Sequence, residues 1–148
     1  MKLINNILIA IDGSDSSLNA ANYAIKLAKQ IDAQLEIIYI IKFARGNIDA
    51  GIFPTDVEEY EKERAKHLIK KIKENHTDII IHDFEIVGKP SKEINKVIKE
   101  LDIDLLIIGH HIYKSIKKIL NRSVEKNLLK HLKIPLLIIP KNDISKNH

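Results

Sequence analysis

Ile7-Leu8-Ile9-Ala10-Ile11-Asp12-Gly13-Ser14 decides how this chain is read. Five consecutive apolar residues, three of them isoleucine, run straight into an Asp-Gly-Ser turn. A strand with one wet face alternates polar and apolar positions, whereas an unbroken apolar run marks a strand covered on both faces, as in a parallel sheet. Beyond the turn, Leu18, Ala21, Ala24, Ile25 and Ala28 form one stripe of a helix expected over about Asp15 to Ile31, with Ser14 as its N-cap. A buried strand, a short polar turn and an amphipathic helix together open a βα unit.

The same pattern recurs along the chain. Further apolar runs occupy Leu35 to Ile41, Ile79 to Val87, Leu105 to Ile108 and Ile134 to Ile139. His82, Asp83 and Glu85 interrupt the third of the five, which places it nearer a sheet edge. Helical periodicity predicts a second helix from about Thr55 to Glu74, with Val57, Tyr60, Leu68, Ile69 and Ile72 on its apolar face. A third begins at Pro90, a favoured first-turn residue, and carries Ile94, Val97, Ile98 and Leu101. A fourth is expected from about Lys117 to Leu132, with Ile119, Leu120, Val124, Leu128 and Leu132 inward. The order βαβαβαβαβ predicts an α/β fold, a five-stranded parallel sheet with helices on both faces, as a single domain over residues 1–148. Lys42 to Pro54 forms a long connection, either a functional lid or an irregular crossover. The end from Lys141 to His148 is expected to fray.

Composition narrows the class. Of 148 residues, 45% are hydrophobic and 30% charged, the balance of an ordinary globular protein. There is no cysteine, which removes disulfide and thiolate chemistry and fits an intracellular home. The amino terminus is too short and polar for a signal peptide, and no apolar run reaches the roughly 20 residues of a membrane span. The expectation is a cytoplasmic protein with no membrane partner. The net charge of +4 is spread along helices among glutamates, and aromatic residues are scarce at 5%. Only Lys114, Lys117 and Lys118 cluster, so the charge argues against nucleic acid as a partner.

Ligands of doubly wound sheets sit at the carboxyl ends of the strands, where the strand order reverses. Those ends are Ile11-Asp12-Gly13-Ser14, Tyr39-Ile40-Ile41 and Ile108-Gly109-His110-His111. Asp12 can cap its turn through Asx-type bonds. His110 and His111 are adjacent and so point apart, and no H-x3-H pair or cysteine accompanies them, which favours a structural or solvent-facing role over a metal. Ser123 lacks a nucleophile elbow or an evident base and is not expected to be catalytic.

These same stretches resemble the universal stress protein family. Ile7 to Ser14 with Asp15 and Ser17 is similar to the family's first strand and turn. Gly88-Lys89-Pro90 is similar to its G-x-P turn, Asp104 to Gly109 to its D-L-I-V-M-G strand, and Ile134 to Pro140 to its final strand. The resemblance spans nearly the whole chain in order, and implies a Rossmann-like fold of the adenine nucleotide α-hydrolase type.

ATP-binding members carry Gly, two residues, Gly, nine residues, then Gly followed by Ser or Thr. Backbone N–H groups must approach phosphate oxygens there, and a Cβ obstructs them. Carried onto this chain, those positions are Gly109, Ile112, Arg122 and Ser123, followed by Val124: the spacing is intact and two of the three glycines are replaced. Ile112 is expected to fill space near the phosphates, while Arg122 either abolishes the turn or offers a guanidinium instead. Asp12, in the turn with Gly13 and Ser14, stands where the family's adenine-contacting acid sits, and Ile40 ends the neighbouring strand. Gly109-His110-His111 resembles the loop of the universal stress protein A subgroup, which is not regarded as ATP-binding.

The resemblance therefore implies a non-catalytic regulatory or protective stress protein with no tightly held cofactor. It would be a homodimer through its C-terminal strand, acting on protein clients that remain unnamed. The alternative is an ATP- or AMP-binding switch using Asp12, Gly109, Arg122 and Ser123. An enzyme of the wider α-hydrolase group would bring an S-G-G-x-D or H-I-G-H loop, and neither occurs.

Overall fold

The computed structural model describes residues 2–43, 46–119 and 128–141. Its strands are β1 (Asn6–Ile11), β2 (Gln34–Ile41), β3 (Ile81–Val87), β4 (Leu105–Gly109) and β5 (Leu136–Ile139). The helices are α1 (Asp15–Ile31), α2 (Pro54–Asn75), α3 (Pro90–Glu100), α4 (His110–Ile119) and α5 (Leu128–His131). All five strands are parallel, in the order β3-β2-β1-β4-β5. The chain winds outward from β1 to β3, then crosses to β4 on the other side of β1. The strand order thus reverses between β1 and β4.

The unbroken apolar run of β1 is covered on both faces, as its composition predicts, and lies in the middle of the sheet. Ile7 to Ile11 are fully buried, with Ile7, Ile9 and Ile11 packed beneath α1 and α2. Leu8 and Ala10 face the opposite layer, with Ile94 and Val97 of α3 and Ile112 and Ile116 of α4. Each leucine or isoleucine so withdrawn from water contributes about 1.5–3 kcal/mol. Asp104 fastens the amino ends of β1 and β4 together, its Oδ2 accepting from the N–H groups of Asn5 (2.8 Å) and Asn6 (2.9 Å).

The interrupted third run lies at an edge, as its polar residues predict. It starts at Ile81 rather than Ile79, and Ile80 is exposed. The last run likewise enters the sheet later, at Leu136, although the Pro135 carbonyl already accepts from Leu106 N at 3.1 Å. The connection after β2 contains a 3-10 turn, Ile48–Ala50, flanked by an Asn47–Ile52 bridge.

The expected fourth helix is corrected most. The chain is helical directly after β4, from His110 to Ile119, where a loop was expected, and again over one turn at Leu128–His131. Ile112 and Ile116, four residues apart, drop one stripe into the core and draw the backbone into a helix at once. Leu128 is buried and Leu132 partly so, while Leu120 and Val124 lie outside the described residues. Among the described residues no helix is long and apolar enough to cross a membrane.

Candidate functional site

The strand reversal leaves a crevice at the carboxyl ends of β1 and β4, and the turn after β1 fills its floor. Asp12 Oδ1 accepts from Ser14 N (3.0 Å) and Ser14 Oγ (2.6 Å), the Asx arrangement that an Asp-Gly-Ser turn favours. Gly13 takes φ +85, in the left-handed region that a side chain resists. Ser14 then caps α1, its Oγ accepting from Ser17 N at 3.3 Å. Ser17, fully buried, donates from Oγ to the Ser14 carbonyl at 2.9 Å and accepts from Asp12 N at 3.3 Å.

From across the crevice, the first turn of α4 reaches back to this floor. His111 Nδ1 lies 2.5 Å from the remaining Asp12 oxygen, Oδ2, and His111 N donates to Ser16 Oγ at 3.1 Å. Burial raises the Asp12 carboxyl, but the Ser14 hydroxyl and N–H, together with His111, outweigh it and hold the group below the ordinary carboxylate range. Both oxygens of Asp12 are therefore engaged by the chain itself.

Gly109 has a packing role here. A Cβ on it would lie 2.7 Å from the Ser16 carbonyl oxygen and 2.9 Å from its carbon, so only glycine lets the start of α1 rest against the end of β4. Ile112 does not stand over the crevice as expected. It is 1% exposed and faces the core below α4, because the helix begins at His110 and turns position 112 inward. Ile40 is buried at the end of β2 and borders a cavity of about 290 Å³ that Asp12, His111, Val57 and Glu58 also line. His110 and Lys114 face another cavity with Ser14 and Ser16 on the α1 side, and His111 borders both. Arg122, Ser123 and Val124 lie outside the described residues.

Thus the structure brings together Asp12, Gly13, Ser14, Gly109 and His111, with Ile40 at the rim. The His111–Asp12 bond was not foreseen, since it joins residues 99 positions apart. Nor was Ser16, which holds the His111 backbone. Only the prior placement of both turns at the reversal point hinted that these residues would meet.

Comparison with known proteins settles the family. The model of the universal stress protein family matches residues 4–140. The chain belongs to the universal stress protein family. A universal stress protein of Methanocaldococcus jannaschii is 31% identical over 143 residues, covering 94% of this chain and 84% of that one. Among solved structures, one universal stress protein, from Burkholderia pseudomallei, superposes with a TM-score of 0.76 at 19% identity, covering 95% of this chain and 99% of that one. Another universal stress protein, solved in complex with cAMP, has a TM-score of 0.61 at 25% identity, covering 93% and 97%. The parallel sheet and its flanking helices are those of this family.

Proposed function

We propose that this universal stress protein acts in the cytoplasm as a regulatory or protective factor, without catalysis and without tight adenine-nucleotide binding. The observation that carries this reading is the closure of Asp12. An acid that contacts adenine must offer a carboxylate oxygen to the base, and here Ser14 takes one oxygen and His111 the other. A base entering the 290 Å³ cavity beside Ile40 would compete with the imidazole for Oδ2. The cost of breaking a charge-assisted bond at a carboxylate is about 1.5–3 kcal/mol, a tenfold or larger loss of affinity.

Titration calorimetry with ATP, ADP and AMP is the test. The expected result is no binding tighter than roughly millimolar for the wild type, and a gain of about tenfold or more in His111→Ala, which frees Asp12 Oδ2. Micromolar affinity in the wild type overturns the proposal. A wild type and variant that both fail to bind leave the reading intact but remove His111 as the obstruction.

The second reading, a nucleotide-dependent switch, draws its support from the relative solved with cAMP and from the cavity that Asp12 and Ile40 share. In it His111 swings aside when nucleotide arrives. Nucleotide released by acid from freshly purified protein would favour this version.

A further inference from the structure

Behind the Asp12 turn, on the α1 and α2 side of the sheet, lies a groove of about 450 Å³ that the crevice does not use. Its floor is formed by Tyr39, Leu18 and Leu68, with Gly13 at one end. Tyr39 is only 4% exposed, yet among the described residues its hydroxyl makes no hydrogen bond. With no partner in the protein, that hydroxyl is left for water or a ligand in the groove to meet. The hydroxyl lies against Gly13, whose absent side chain leaves it room: a Cβ there would run into the oxygen. Tyr39 also borders the cavity beside Ile40, but Gly13, against which its hydroxyl rests, lines only the groove, which places the hydroxyl end on the groove side.

The wall is one stripe of α2. Arg64, His67 and Lys71 recur at spacings of three and four, and with Leu68 they turn the same face toward Leu18. Glu63 is the one carboxylate on the lining, and Glu61 touches Arg64 Nη1 from outside it at 3.3 Å, leaving the other guanidinium donors available. Tyr60, mostly exposed, also borders the groove. Burial above all, then the charge of Glu61 and, more weakly, that of Asp12, push the Tyr39 phenol up against the opposing Arg64, so it keeps its proton at neutral pH.

We propose that this groove between α1 and α2 binds a small aromatic carboxylate. The ring lies over Leu18, Leu68 and Tyr39, a polar substituent takes the Tyr39 hydroxyl, and the carboxylate meets Arg64 and Lys71 at the rim. The volume falls in the range of small-molecule pockets, and an apolar bed with a few convergent polar groups is their usual make-up. The site shares Tyr39 with the cavity beside Ile40 but not Asp12, Ile40 or His111, and stands whether or not that crevice takes a nucleotide.

The test is a titration of the full-length protein with 4-hydroxybenzoate, followed through backbone amide chemical shifts, with benzylamine as a cation of similar size. The expected result is saturable shifts centred on Leu18, Leu68 and Lys71, and much weaker ones with benzylamine. Tyr39→Phe keeps the ring and should weaken binding about fivefold, as loss of one hydrogen bond does. Arg64→Gln with Lys71→Gln should weaken it about tenfold, while Lys66→Gln, on a different face of α2, should leave it unchanged. The proposal is overturned by shifts that do not saturate by millimolar concentration, by shifts centred on Ile40 and Ile41, by equal binding of benzylamine, or by unchanged affinity in Tyr39→Phe with its fold intact.

Discussion

Asp12 concentrates the chemistry of this molecule in one side chain. It shapes its own turn through Ser14 and ties that turn to α4 through His111. Because its carboxyl titrates below the ordinary value of 3.8, the ionised form is bound more favourably in the folded chain than in the unfolded one. The resulting stabilisation is fully present above about pH 4 and is lost as pH falls through the lower folded value. Urea unfolding of wild type and Asp12→Asn between pH 3 and 6 should show it: the wild type is the more stable at pH 6, and the gap narrows toward pH 3. A gap independent of pH would mean that charge contributes nothing at this turn. Gly109 shows how a residue read for one chemistry serves another. Its lack of a side chain admits the Ser16 carbonyl, a packing need that exists whether or not phosphate ever approaches.

At the scale of the element, α4 departs furthest from expectation. The stretch after Gly109 was read as a loop by resemblance, although Ile112 and Ile116 already carried the four-residue spacing of a helix. Short apolar spacing is ambiguous until a core exists to receive it, and the packing of Leu8, Ala10 and Ile108 supplies that core. Ile112 is therefore a structural residue in the first place. Ile112→Ala should destabilise the fold by about 2–5 kcal/mol, measured by chemical unfolding. A cost near zero would mean that α4 stands off the sheet. By contrast α1 was legible to the residue, from its Ser14 cap to Ile31, since a capping side chain, a stripe of alanines and a turn all act locally.

The whole molecule has two unlike sheet edges. At β3 the edge is charged: Asp83 is paired with Lys73, and His82 Nδ1 lies 3.0 Å from Glu36. Such an edge discourages another strand from adding to it. At β5 the edge reads Leu-Leu-Ile-Ile, with Leu136, Leu137 and Ile138 only partly buried. We propose that two copies meet there about a two-fold axis, which would cover these side chains in a self-complementary interface. Sedimentation at micromolar concentration should then give twice the 16.9 kDa of one chain, and a purely monomeric species removes the proposal. The parallel sheet, the two-faced burial of β1 and the edge position of β3 were all readable from the sequence, because burial on two faces, on one, or on neither writes itself into the apolar pattern of each segment. The turn of Asp12 was readable too, being made by neighbours in the chain. What only the tertiary structure decided is which distant groups meet: His111 on Asp12, Ser16 against Gly109, and Tyr39 beneath α2. Those contacts depend on the crossover that sets β4 beside β1 and on the lie of α2 over β2, and no local spacing encodes a distance between residues a hundred positions apart.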